Sequence, residues 1–533
     1  MNKKPNILVI CSDEHHPLMS GFRGHHQVKT PNVNRLAAMG THFTRAYCNN
    51  PICVPSRMSF ITGKYAHEIN SYIIGSPLDP NEMTWARRLD QAGIRSTMFG
   101  KMDFCGDYQD GGFSEYKILI KRPSKDVPMK TPYLAKLDGA YRIDKPAHII
   151  HSGSRTDEIL ERGLECGEKI DEIGNYDHDR QVADWAIEYL SEKTPESDSW
   201  ALYVGFLFPH WPFRVPEKYF NMYPPETIEI PNSWYEKKES QHPATVHHRE
   251  QNILGHISKT IAEYHPNLAE KLKKQGLAKI DERTIQTAIS AYFGMITCID
   301  EMIGEMLDTL EKQGILDNTH IVYTSDHGES LGEHGLFYKQ SPYEGSAGVP
   351  LIVAGPGVKA GQVIHQPVSL IDLYPTIMDM VEIPCEDDRK GYSWMPLLKG
   401  EKQPERPNYI YCDFYASNHK NSWHLLAGSK YKYTYYVGYR PTLFDIQNDP
   451  EERNDLATNP EYKMILDDFE TKLRSFVDPE KEDRISKEHL GLIDENGNDL
   501  TQTHACFEDG VKEKIRRRNE IKLLTCIPVQ RTR

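Results

Sequence analysis

The sequence predicts an α/β fold: a large, mostly parallel sheet flanked by helices on both faces, with a smaller C-terminal α+β domain containing an antiparallel sheet. Three observations predict it. Short apolar runs at 6–11, 94–99, 200–206 and 320–324 are each followed by polar residues, the pattern of buried strands that end at a site. Between them, at 84–92, 181–190 and 285–312, apolar residues recur at three- and four-residue spacing, so helices alternate with strands and the sheet is largely parallel. From about residue 383 the character changes to shorter strand-like runs at 409–413, 424–427 and 431–437, which read as a small antiparallel sheet.

The first run delivers Ser12-Asp13-Glu14-His15-His16 at its carboxyl end, which is where open α/β sheets hold their ligands. The second run precedes Gly100-Lys101, the third His210 and the fourth Asp326-His327, so four strands direct polar groups to one edge. A further strand at 350–354 and a helix at 370–381 close a large domain over residues 1–382, leaving 383–533 as the smaller one. The polar segment 241–282, rich in His and Lys, reads as an insertion. Leu443-Phe444-Asp445 with Asp449-Pro450-Glu451-Glu452 reads as a loop of the small domain. The string Asp494-Glu495-Asn496-Gly497-Asn498-Asp499 lacks the glycine and terminal glutamate of a calcium loop at the required places and reads as a turn.

With 533 residues, 38% of them hydrophobic and 26% charged, the chain can bury a sizeable core. A formal net charge of −14 disfavours nucleic acid and anionic lipid as general partners, although it leaves room for a local basic pocket. The dense basic run around Arg516, Arg517 and Arg518 reads as a solvated helical face that could also pack on a second copy of the chain, so a homo-oligomer is open. No stretch approaches a membrane span, and the apolar run after Met1 is too short for a signal-peptide core. Ten cysteines without a regular framework read as reduced thiols, and a cytoplasmic address is expected.

The chemistry is concentrated in Cys53-Val54-Pro55-Ser56-Arg57, followed by Met58-Ser59-Phe60-Ile61-Thr62-Gly63. Pro55 suits a first helical turn, which would put Cys53 where backbone N–H groups favour an anion, with Arg57 one turn on as a guanidinium partner. Taken alone, Cys53 would be a buried structural thiol; the string around it changes that reading. Asp13 with Glu14 and Asp326 with His327 are distant carboxylate-bearing pairs at adjoining strand ends, able to hold a divalent cation or merely to cap turns. Lys101, His210 and Lys339 could neutralise an anion or move a proton. His15 and His16 either line the pocket mouth or sit exposed in a turn, and Trp211 either walls the pocket or packs in the core.

This string resembles the signature of the sulfatase family, C-x-P-S-R followed by an apolar residue and Thr-Gly, in which the cysteine is oxidised after translation to formylglycine. The Asp326-His327 form is similar to the branch containing choline sulfatases and phosphonate monoester hydrolases. The resemblance implies an alkaline-phosphatase-like fold and one divalent metal held by Asp13, Glu14, the modified Cys53, Asp326 and His327, with Ca2+ expected and Mn2+ as the alternative, since imidazole tolerates borderline metals. It also implies Cys53, Arg57, Lys101, His210 and Lys339 as the catalytic set, with Asp103 and Trp211 against the substrate. Many relatives have histidine where Asp103 stands, so this residue either contacts a cationic or hydroxylated leaving group or caps a turn. The implied substrate is a small-molecule or saccharide sulfate ester, and the implied maturation partner a formylglycine-generating enzyme. Hydrolysis of a phosphonate monoester or phosphodiester at the same site is the enzymatic alternative, and a non-catalytic sulfate- or sugar-binding relative the other.

Overall fold

A computed structural model describes residues 3–105, 108–118, 175–211, 213–249, 282–386, 388–415, 422–490, 492–493 and 496–499. Among the described residues, ten strands belong to the first part of the chain: β1 (Asn6–Ser12), β2 (Thr41–Phe43), β3 (Ala46–Tyr47), β4 (Arg95–Gly100), β5 (Glu115–Lys117), β6 (Trp200–Gly205), β7 (Thr319–Ser325), β8 (Leu351–Ala354), β9 (Gln362–Ile364) and β10 (Val368–Ser369). Eight of them form one sheet in the order β5-β4-β6-β1-β7-β8-β2-β9, and β10 pairs with β3 apart from it.

The four strands foreseen from their apolar runs are its centre, β4-β6-β1-β7, and all their pairings are parallel. Every residue of β1, β6 and β7 is buried, because helices cover both faces; that is why these strands read as unbroken apolar runs rather than as alternation. β8 runs antiparallel to both β7 and β2, so the sheet is mixed on that side. Register aligns the strand ends: Ser12 lies opposite Ser325, and Gly205 opposite both Cys11 and Gly100. The residues that follow, Asp13, Lys101, the turn at 206–210 and Asp326, therefore leave the sheet along one edge.

One face is covered by the helices Pro31–Met39, Asn175–Ser191 and Glu282–Lys312. The last presents Ile289, Tyr292, Ile296, Ile299, Ile303, Met306 and Leu310 to that core, the three-and-four spacing that its sequence shows. Each such side chain contributes roughly 1.5–3 kcal/mol on burial. The other face holds the helices Cys53–Thr62, Trp85–Gln91 and Leu373–Met380.

The small sheet has four antiparallel strands in sequence order, β11 (Tyr409–Phe414), β12 (Trp423–Gly428), β13 (Tyr431–Tyr436) and β14 (Thr442–Asp445). β14 corrects the expected loop at Leu443-Phe444-Asp445: Leu443 pairs with Tyr433 and Phe444 with Lys432, and Leu443 is buried in the core beneath the Lys463–Phe476 helix. At four residues, directly after Pro441, the strand is too short to show a period. The same holds for β2, β3, β5, β9 and β10, which have two or three residues each.

Several contacts fasten this sheet to the large domain, among them Asn50 Nδ2 to Asp413 Oδ1 at 3.1 Å, Asp413 N to the Asn49 carbonyl at 3.0 Å, and those of Lys432 and Trp423. Lys432, buried on β13, reaches Glu344 Oε1 at 2.9 Å and Glu452 Oε1 at 2.5 Å. Trp423 Nε1 on β12 donates to the Gln340 carbonyl at 3.1 Å. Of the expected insertion, residues 250–281 lie outside the described residues, and 243–249 form the helix Pro243–Arg249. The basic run around Arg516 to Arg518 lies outside them too, as do Asp494 and Glu495. Among the described residues seven cysteines are unbridged, and no helix is long and apolar enough to cross a membrane.

Candidate active site

Cys53 is the first residue of a ten-residue helix, Cys53–Thr62, every residue of which is buried. Pro55 fits its first turn because an N–H there has no intrahelical partner to lose. No side chain caps this end, so the first-turn N–H groups are not committed to a capping oxygen. The helix stops at Gly63, whose φ of 69° is left-handed.

Around Cys53 Sγ stand His327 Nε2 at 3.3 Å, Lys339 Nζ at 3.4 Å and Asp13 Oδ1 at 3.9 Å. Ligand atoms of Asp13, Cys53, Asp326 and His327 all lie within 4.8 Å of one another. Residues as far apart as 13 and 327 are thus gathered at the aligned ends of β1 and β7. Glu14 lies beside this group rather than in it: its Oε2 is 3.2 Å from Lys339 Nζ and 3.4 Å from His210 Nε2, and its ligand atom groups with those of Asp13 and His210.

Arg57 is fully buried and organises the carboxylates. Its Nε donates to Asp326 Oδ2 at 2.9 Å, Nη2 to Asp13 Oδ2 at 3.1 Å, and Nη1 to the Lys101 carbonyl at 2.7 Å and the Tyr203 hydroxyl at 2.8 Å. The expectation of a guanidinium presented directly to an anion is corrected here, because the planar fork is spent on two fixed carboxylates and the backbone that carries Lys101. Lys101 pairs with Asp13, and at 3.3 Å with Asp103 Oδ2. Gly100 allows that approach: its φ is +84°, and a Cβ there would lie 2.2 Å from the Gly205 carbonyl oxygen.

Lys339 sits between Tyr338 and Gln340, both with left-handed φ, of 68° and 78°. Glu329 holds the strained turn, its Oε1 accepting from Leu331 N at 2.8 Å and Tyr338 N at 2.5 Å. His210 has its Nδ1 2.5 Å from the Trp211 carbonyl; that oxygen can only accept, so the proton is on Nδ1 and Nε2 faces Glu14 and Asp13. Trp211 stacks on His210 with centroids 5.3 Å apart and packs edge-on against Tyr338 in the core. Asp103, at φ 64°, stays beside Lys101.

His15 and His16 correct the exposed-turn reading, for both are fully buried. His15 Nδ1 lies 2.7 Å from the Tyr323 hydroxyl, and burial lowers its pKa to about 4. His16 Nε2 lies 3.1 Å from Glu333 Oε1, and its backbone N–H donates to the Tyr292 hydroxyl. They support the Asp13–Glu14 turn from behind. Sequence reasoning passed over Tyr203, Ser56 and Glu329, whose signals, a strand tyrosine and residues inside quoted strings, acquire meaning only from their partners. Ser56 Oγ donates to the Asp326 carbonyl at 2.5 Å.

Electrostatics follow from this packing. Burial would raise the Asp13 carboxyl, but the cations Lys101, Arg57 and Lys339 hold it well below the usual carboxylate range. Burial and Asp13 push the Cys53 thiol up, yet Lys101, Lys339 and His327 outweigh them and the net shift is downward. His210 is lowered well below its ordinary value by burial and then by Lys339. For His327 burial lowers, but Asp326 beside it prevails and the pKa is raised to about 10.

The sulfatase family model matches residues 5–383 of the chain. This chain belongs to the sulfatase family. A second model, described as the C-terminal part of N-sulphoglucosamine sulphohydrolase, matches residues 332–478. Arylsulfatase K of Mus musculus is 30% identical to this sulfatase over 487 residues, covering 90% of this chain and 80% of that protein. Arylsulfatase K of Homo sapiens is 30% identical over 487 residues, covering 89% and 82%. The protein is accordingly a sulfuric ester hydrolase. Among solved structures, one in complex with its substrate D-glucosamine-2-N,6-O-disulfate shares the fold at a TM-score of 0.70 and 22% identity, covering 90% of this chain and 99% of that one. A phosphonate monoester hydrolase of Agrobacterium radiobacter shares it at 0.67 and 23%, covering 89% and 95%.

The residues present in this sulfatase fit a divalent cation. Two carboxylates and an imidazole converge, and Glu14 Oε1 is a buried carboxylate oxygen without a hydrogen-bond partner, a desolvation cost that a nearby cation would offset. A cation at His327 Nε2 must displace the proton that Asp326 favours there. Binding therefore releases protons, and apparent metal affinity should strengthen by up to about tenfold per pH unit from neutrality, levelling off near the His327 pKa of about 10. Without metal the sign reverses: the raised His327 contributes stability below its ordinary pKa of 6.5, which is lost as pH rises through about 10. Calorimetric metal titrations across that window check this, and a pH-independent affinity would contradict it.

Proposed function

We propose that this sulfatase hydrolyses a sulfate monoester of a saccharide, with a formylglycine made from Cys53 by a formylglycine-generating enzyme as nucleophile. The observation that carries the reading is the convergence of Cys53 with Asp13, Asp326 and His327 at the start of a buried helix. A divalent cation bound by Asp13, Asp326, His327, residue 53 and Glu14 would polarise a sulfuryl oxygen and acidify a hydroxyl of the hydrated formylglycine. Ca2+ is the expected ion and Mn2+ the alternative.

One geminal hydroxyl of residue 53 passes its proton to solvent and attacks sulfur in line, and the bond from sulfur to the ester oxygen breaks. Lys101 and Lys339, both against the Asp13–Cys53 region, neutralise the sulfuryl oxygens. Arg57 acts behind them by fixing both carboxylates. The departing alkoxide takes a proton from His210 Nε2 or Lys339. Burial and the ammoniums of Lys339 and Lys101 hold that imidazole neutral on their own; a sulfuryl anion seated among them opposes their charge and raises its proton affinity. The second hydroxyl then passes its proton to solvent, the carbon–oxygen bond to sulfate breaks, and the restored aldehyde takes up water to regenerate the geminal hydroxyls.

A saccharide alcohol is favoured by the structural neighbour bound to a glucosamine disulfate and by a second neighbour described as a 2-O GAG sulfatase, at a TM-score of 0.67. Asp103 and Trp211, flanking Lys101 and His210, would meet its hydroxyls. Rates on 4-nitrophenyl sulfate, a phenyl phosphonate monoester and a panel of sugar sulfates test the assignment in metal-replete enzyme. We expect sulfates to be preferred by at least about 10-fold, a difference of about 1.4 kcal/mol in barrier. A phosphonate preference would move the chain to the other chemistry of this fold.

A further inference from the structure

The turn at 207–210 that carries His210 is held in place by the Asn175–Ser191 helix. Asp179 on that helix is fully buried, and its two oxygens accept 2.7 Å hydrogen bonds from the backbone N–H groups of Leu207 and Phe208. His178 Nδ1 lies 2.8 Å from Asp179 Oδ1 and gives the carboxylate a third partner. From the first turn of the helix, Asn175 Nδ2 donates to the His210 carbonyl at 2.9 Å. On the opposite side Asp13 N donates to the Phe208 carbonyl at 3.2 Å, and the turn closes on itself with His210 N to the Leu207 carbonyl at 2.8 Å.

Two successive backbone N–H groups clamped by one fully buried carboxylate fix two adjoining peptide planes far more firmly than a solvated turn is fixed, because each bond is charge-assisted. Helix, turn and metal-ligand strand are thereby linked in one chain of contacts that ends at His210 Nε2, 3.4 Å from Glu14 Oε2. An imidazole displaced by about 1 Å loses most of its value as a proton donor.

We infer that Asp179, assisted by Asn175, is a positioning residue for His210: it sets the imidazole where it can protonate the leaving alcohol. This rests on the role proposed for His210. A leaving group such as 4-nitrophenolate departs without a proton, whereas a sugar or alkyl alkoxide needs one, so the two substrate classes separate positioning from general damage.

The experiment compares wild type, Asp179→Asn, Asn175→Ala, His210→Ala and the Asp179→Asn/His210→Ala double variant on 4-nitrophenyl sulfate and on a sugar sulfate. His210→Ala should lower kcat/KM for the sugar sulfate about 100-fold more than for the nitrophenyl ester. Asp179→Asn should reproduce at least about a tenth of that differential, Asn175→Ala a smaller part, and the double variant should add nothing to His210→Ala. Equal losses on both substrates, or additivity in the double variant, would overturn the inference. A readout independent of turnover keeps it separate from the sulfatase mechanism. The imidazole resonance that His210→Ala removes from the spectrum of histidine-labelled protein should shift or broaden in Asp179→Asn and in Asn175→Ala. An unmoved resonance overturns the positioning role even if sulfate hydrolysis stands, and absence of a substrate differential in His210→Ala alongside a shifted resonance assigns the failure to the proton-donor role instead.

Discussion

Cys53→Ala is expected to reduce turnover of every sulfate ester by about 10^4-fold or more, the scale on which removal of a covalent nucleophile is felt. The loss should be chemical rather than structural. The thiol is buried against polar groups at a helix start, and its truncation to a methyl costs on the order of 1 kcal/mol, so circular dichroism and the unfolding midpoint should stay near wild type. Cys53→Ser gives the sharper result. A serine hydroxyl can take the sulfuryl group once but has no second hydroxyl through which to expel it, so the enzyme should stop as a covalent sulfate ester after about one equivalent of alcohol is released. Intact mass of the wild-type chain should show the deficit of a cysteine converted to formylglycine, and that of the Ser variant the added sulfuryl group. Wild-type turnover by the Ala variant would sink the nucleophile assignment.

The second large effect is on stability. Arg57→Ala leaves Asp13 and Asp326 buried without their shared guanidinium, and loss of one partner from such a network typically costs about 3–5 kcal/mol. Arg57→Lys should recover only part of this, since a single ammonium cannot span Asp13 Oδ2, Asp326 Oδ2, the Tyr203 hydroxyl and the Lys101 carbonyl together. Denaturant unfolding of the metal-free protein reads the difference directly, and a wild-type midpoint for Arg57→Ala would show that the carboxylates relax to water. Activity should fall in both variants, because the same guanidinium fixes the oxygens that would hold the cation.

The centre of the large sheet was legible because two-sided burial forces unbroken apolar runs, and the polar residue after each run marks the sheet edge without any knowledge of the register. The register itself, Ser12 against Ser325 and Gly100 against Gly205, was not legible, yet it is what brings Asp13 within reach of Asp326 and Lys101. The short strands escaped for want of a period, β14 among them. At the site, residue types announced the chemistry but not the direction in which each side chain points. Arg57 is the clearest instance: one turn beyond Cys53 it suits an anion, and only Asp13 and Asp326 on either side of it reveal a brace. His15 and His16 were undecided for the same reason, because a histidine after a strand carries no mark of whether Tyr323 or Glu333 waits for it.

The bond from Trp423 to the Gln340 carbonyl and the grip of Lys432 on Glu344 have a bearing on how this protein can be dissected. Both land on the stretch that presents Lys339, so the four-stranded sheet acts as the outer wall of a mould whose inner surface is the reaction chamber. A polypeptide shortened to end before Tyr409 would keep every proposed cation ligand and still release that lysine from its place. Such a fragment should fall short of the whole chain in sulfate ester turnover, which an assay of the two side by side reads.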